Sequence, residues 1–138
     1  MNRRTFMITG AWLATVAGGA WPSVARAAAR AGTLAIVDRT LACGPAFARY
    51  AACLNLPLFE TGDDIGTLWY TTLAPLLEPR SSLIGITRGS DYFVLHELAA
   101  RAGLFAPIDA THEQPAASAM QRAHIAFTFA PRILHHRA

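Results

Sequence analysis

Lysine is missing from this chain: all twelve Lys+Arg positions are arginine. Cysteine is scarce too, with two residues, Cys43 and Cys53, and neither a C-x-x-C pair nor a C-x-x-C-H haem attachment is present. The sequence also has no P-loop and no G-x-G-x-x-G, so no nucleotide fingerprint can be read from it and no cofactor can be named. The longest uncharged apolar stretch, Phe6 to Trp21, falls short of the roughly 20 residues a spanning helix needs. Gly10, Gly18 and Gly19 dilute it further. No internal repeat is visible, and 138 residues set a ceiling of one small domain.

What the N-terminus does have is a pair of arginines, Arg3-Arg4, then Phe6 and the uncharged stretch, then Ala25-Arg26-Ala27. The last three match the A-x-A pattern whose small side chains fit the shallow pockets of a signal peptidase. These residues resemble a twin-arginine translocation signal. The resemblance covers residues 1–27 and implies a bacterial protein that meets the twin-arginine translocase and is exported to the periplasm after folding. It predicts a leader over 1–27 and a single domain over 28–138, with a flexible tail from about 131 and no membrane span once the leader is cut. Proteins on this route commonly hold a cofactor or travel bound to a partner that does. In a chain without a cofactor motif, that points to an accessory of a larger exported protein.

Taking the leader away also removes Arg3, Arg4 and Arg26, and the remaining nine arginines meet nine Asp+Glu. The domain is then formally neutral. Nucleic-acid binding normally shows a basic patch on the domain itself, so it is excluded as an expectation.

After Gly32 the chain alternates short apolar runs with helical periodicity. Thr33–Val37 has the length and β-branched content of a buried strand. Pro45 opens a helix in which Phe47, Tyr50, Ala51 and Leu54 share a face. Leu56–Phe59 reads as an edge strand, because Pro57 cannot donate to a ladder. A helix from Ile65 is capped by Asp63, bent by Pro75 and closed by Pro79. Leu83–Thr87 is the clearest strand and belongs in the sheet interior. A helix over Tyr92–Ala102 stops at Gly103, and Leu104–Ile108 is a poorer strand. Asp109–Ser118 reads as loop, and His124–Phe129 as a fifth strand. The alternation predicts an α/β fold: a small doubly wound parallel sheet of four or five strands, a flavodoxin-like or Rossmann-like sandwich.

In such a sheet ligands sit outside the carboxyl ends of the strands, where the strand order reverses. Thr87, Arg88 and Ser90, just before a helix, form a candidate anion site, with Asp63 on a neighbouring loop. Ordinary capping by Ser90 explains the same residues. Asp38 and Cys43, at the end of the first strand and the start of a helix, are the candidates for chemistry. A Cys43–Cys53 disulfide is ruled out by a helix that holds the two about 15 Å apart. Carboxylates at Asp38, Asp63 and Asp64 converge enough to consider Mg²⁺, yet capping accounts for the last two, and no metal site is assigned. Trp69, Tyr70, Tyr92 and Phe93 read as core. The five histidines, His96, His112, His124, His135 and His136, lack zinc spacing. Two readings follow: a periplasmic binding or accessory module, or a small enzyme or cofactor-binding protein that takes an anionic ligand at this edge.

Overall fold

A computed structural model of the chain describes residues 21–103, 105–112 and 124–131. Arg3 and Arg4, the tail beyond Pro131, and His135 and His136 lie outside them. The first element is a helix, α1 (Trp21–Ala28), followed by strand β1 (Thr33–Val37) and helix α2 (Gly44–Cys53). The short strand β2 (Leu58–Glu60) leads into α3 (Ile65–Leu68), which continues through a π-helical turn at Trp69–Leu73 into α4 (Ala74–Leu76). Then come β3 (Ser82–Arg88), α5 (Gly89–Ala102), β4 (Phe105–His112) and β5 (His124–Pro131).

These strands make one five-stranded sheet in the order β2-β1-β3-β5-β4. β2, β1 and β3 run parallel, as the strand and helix alternation predicts. β2 is the edge, and Pro57 stands just outside it, its carbonyl accepting from the Ala35 amide at 2.9 Å. The fully parallel sheet requires a correction. β5 is antiparallel to both β3 and β4, so the sheet is mixed. Parallel neighbours need a crossover of a dozen or more residues, usually helical. Only residues 113–123 separate the end of β4 at His112 from the start of β5 at His124, too short a connection for such a crossover. β4 also extends to His112, four residues into the stretch predicted as loop.

The alternation of side chains along the strands splits the core into two layers. On one face Ala35, Val37, Ile84, Ile86 and Ala126 meet Phe47, Tyr50 and Ala51 of α2 and Val24, Ala27 and Ala28 of α1. On the other Leu34, Ile36, Leu83, Phe127 and Phe129 meet Ile65, Trp69 and Leu73 and, from α5, Tyr92, Leu95 and Ala99. Helices therefore cover both faces, a three-layer α/β arrangement. Trp69 and Tyr92 are core as expected, but Tyr70 and Phe93 are not: they are 65% and 72% exposed. Each follows a buried aromatic by one residue, and one step along a helix turns a side chain by about 100° off the buried face.

Local chemistry sets the element ends. Asn55 takes the left-handed conformation (φ 57°) after α2, with Asn55 and Leu56 amides returning to the Ala52 and Ala51 carbonyls, a Schellman closure. Gly103 also takes the left-handed conformation after α5, at φ 71°, with its amide returning to the Ala100 carbonyl. Asp64, rather than Asp63, caps α3, accepting from the Gly66 and Thr67 amides. Pro75 lies two residues past the end of the π-helical turn, in the first turn of α4, where its missing N–H removes a helical hydrogen bond. Among the described residues no helix is long and apolar enough to cross a membrane.

Gly85, in the middle of β3, shows how closely the central layer is packed. A Cβ there would lie 2.6 Å from the Phe127 ring and 2.7 Å from the Ile36 carbonyl. Phe127 is fully buried and cannot step aside. Gly85→Ala is expected to lower stability by about 1–3 kcal/mol through overpacking, measured by urea denaturation; an unchanged midpoint would show that the layer is looser than this geometry requires.

Candidate functional site at the carboxyl edge of the sheet

The chain leaves β1 toward β2 on one side and returns from β2 to β3 on the other, so the strand order reverses between β1 and β3. Asp38 and Arg88 end these two strands. The Asp38 amide donates to the Ile86 carbonyl at 3.1 Å, which extends the β1–β3 ladder by one bond and fixes the Asp38 backbone beside the end of β3.

Asp38 is only 2% exposed. Its Oδ1 accepts from the Thr40 amide at 2.9 Å and the Thr40 hydroxyl at 2.5 Å, a local turn that holds the carboxylate in place. Its Oδ2 lies 2.9 Å from Nε of Arg88. That oxygen has no hydrogen bond of good direction, so the contact is an ion pair rather than a directed bond. The Arg88 side chain is half exposed, and its Nη2 lies 3.5 Å from Oδ2 of Asp91. Arg88 thus spans two carboxylates across the reversal point.

The predicted anion site is changed by this arrangement. Thr87 is completely buried and its hydroxyl turns back to the Arg88 carbonyl at 3.1 Å. Ser90 is exposed but stands inside α5, because the helix begins at Gly89 with Arg88 at the N-cap and no side-chain capping bond. Asp63 is exposed on the loop after β2. Of the three residues proposed as donors, Arg88 is the one with a charge, and that charge is already engaged.

Cys43 caps α2 and is buried. A helix start favours thiolate, but burial acts more strongly and pushes the thiol above its usual range; a backbone hydrogen bond opposes this and the nearby Asp38 charge adds to it. The thiol is therefore protonated at neutral pH, the opposite of an activated nucleophile. No disulfide joins Cys43 to Cys53. Gly44 is required here, since a Cβ would run into the Asp38 carbonyl and the Arg39 backbone. Asp64 is committed to its cap, and the Thr67 hydroxyl, followed by the Thr67 and Gly66 amides, holds its carboxyl below the usual range. Around the same edge Arg39 pairs with Glu60 at 2.7 Å, both partners exposed.

His96 leans on Tyr92 and Phe129, with ring centroids at 5.8 and 6.0 Å, and takes part in the aromatic layer rather than in this edge. Among the described residues no group of three or more His, Cys, Asp or Glu is placed to hold a metal ion. Sequence reasoning did not join Asp38 to Arg88. The usable signal was their opposite charge at the ends of two strands that a right-handed crossover makes neighbours. Thr40, two residues after Asp38, was an unused turn signal of the same kind.

No protein-family model, no curated protein and no solved structure matches this chain.

Two outcomes test this geometry. Arg88→Ala should destabilise the fold by about 1–3 kcal/mol, below the full figure for a broken buried pair because Arg88 is half exposed. Adding Asp38→Asn should recover most of that loss, since it removes the unpaired buried charge; a single variant as stable as the parent would show that the pair is unimportant. Cys43 should alkylate with iodoacetamide at pH 8 at least tenfold more slowly than Cys53 in the native protein, with the difference vanishing in denaturant. Fast native labelling at Cys43 would contradict its burial and its raised pKa.

Proposed function

We propose that this chain is an exported periplasmic accessory or binding module that works as a partner of a larger exported protein. The observation that supports it most is the state of Arg88. A cation that is to receive a carboxylate or phosphate has to offer its donor fork, and this one faces Asp38 and Asp91 of its own chain. Around the edge, Asp38, Glu60, Asp63, Asp64 and Asp91 outnumber Arg39 and Arg88. An incoming anion would meet net negative charge there. The buried, protonated Cys43 thiol and the capping role of Asp64 also leave these groups without a catalytic partnership.

Export enters the reading through Arg3-Arg4, the apolar stretch and Ala25-Arg26-Ala27, which resemble a twin-arginine leader. Folding before translocation suits a module that leaves the cytoplasm already bound to its partner. In finer terms the fold is read as a small doubly wound sandwich. Its β2-β1-β3 half keeps the flavodoxin-like order, and a single antiparallel strand, β5, stands between β3 and β4.

The test is native mass spectrometry of the protein recovered from the periplasm of a bacterium with the twin-arginine system. A stoichiometric complex with a second exported protein is expected, and Arg3→Lys with Arg4→Lys should leave the chain in the cytoplasm. Recovery of a lone chain with a small anion bound would replace this reading with that of an anion-binding protein or enzyme. Export of the double-lysine variant at the parent rate would refute the twin-arginine assignment.

A further inference from the structure

The helix α1 overlaps the segment that reads as the end of the leader, and it is not an appendage. Val24, Ala27 and Ala28 are 1%, 5% and 4% exposed and occupy positions i, i+3 and i+4, one stripe of the helix. Arg26, on the opposite side, is exposed. The stripe lies over β3 and β5 in the same apolar layer as Ile84, Ile86 and Ala126. The other helix on this face, α2, contacts β1 and β2. Without α1 the β3–β5 half of the layer would face water.

The A-x-A residues sit inside this element. A signal peptidase takes its substrate with the side chains of Ala25 and Ala27 in its pockets, and the Ala27 carbonyl must reach its oxyanion donors. Hydrolysis would add water across the Ala27–Ala28 bond, leaving a carboxylate on Ala27 and a new amino terminus on Ala28. In the folded chain Ala27 turns its methyl into the core, and its carbonyl accepts a buried 2.6 Å hydrogen bond from the Thr33 hydroxyl. The backbone on either side of the bond is helical up to Ala28. The Ala27 side chain and the Ala27 carbonyl are therefore both withheld from the protease by contacts within the fold.

We propose that folding masks the processing site: α1 belongs to the folded domain, and the Ala27–Ala28 bond is cut only in chains in which this helix is undocked. The inference rests on reading Ala25-Arg26-Ala27 as a leader cleavage site, and it revises the domain boundary that this motif suggests from the sequence. On a route that exports folded proteins, docking of α1 would keep residues from Val24 onward in the product.

Purified full chain is incubated with signal peptidase in detergent micelles beside an Ile84→Asp chain whose unfolding is verified by circular dichroism, and intact masses are followed over time. The expected result is loss of residues 1–27 from the unfolded chain at least tenfold faster than from the native one. Equal cleavage of both would overturn the masking. Cleavage of neither would show that the A-x-A residues are not a processing site, which removes the leader boundary and this proposal together.

Discussion

The burial of β3 sets the terms for the rest of the fold. From Ser82 to Thr87 every residue is inaccessible, with β1 on one edge and β5 on the other and a helical layer on each face. A strand in that position can satisfy its backbone only through its neighbours, and its side chains only through packing. Gly85 shows how little tolerance remains, because the Phe127 ring and the Ile36 carbonyl fill the space a side chain would take. The aromatic stack of Tyr92, Phe127, Phe129 and Phe105 then completes one layer, with neighbouring centroids 5.0–6.1 Å apart.

The same constraint explains the carboxyl edge. β1 and β3 must lie side by side for the core to close, and their last residues then bring Asp38 and Arg88 together. Asp38 is buried, so its charge has to be met from within the chain, by Thr40 on one oxygen and Arg88 on the other. An arginine that balances a buried carboxylate is poorly placed to serve as a ligand donor. Stability and anion binding would compete for one guanidinium.

How much could be read in advance varies from element to element. β1 and β3 declared themselves as apolar runs of strand length, and Pro45 and Gly103 mark helix ends by their backbone preferences. The antiparallel β5 was hidden, because an apolar run does not record the direction in which it will pair. Tyr70 and Phe93 were misplaced for a related reason: an aromatic cluster signals burial, while the exact helical phase decides which of two adjacent rings faces water. Asp64 took the cap expected at Asp63, a one-residue shift governed by where the turn after Gly62 ends. Val24, Ala27 and Ala28 stand at the i, i+3, i+4 spacing of a helical stripe, but the same small residues fit a leader cleavage site, and burial against the sheet separates the two readings.

By itself the sequence determined the α/β class, the placement of the central strand in the interior and the leader-like character of the first residues. These depend on local quantities: the period of apolar residues, the conformations open to Pro, Gly and Asn, and charge along the chain. Tertiary structure alone decided that β5 runs against its neighbours, that Arg88 is spent on Asp38 and Asp91, that the Cys43 thiol is desolvated and that α1 closes one layer of the core. Apart from the local Arg88–Asp91 contact, each of these depends on residues far apart in the chain, and it comes into being only when folding brings them together and removes the water around them.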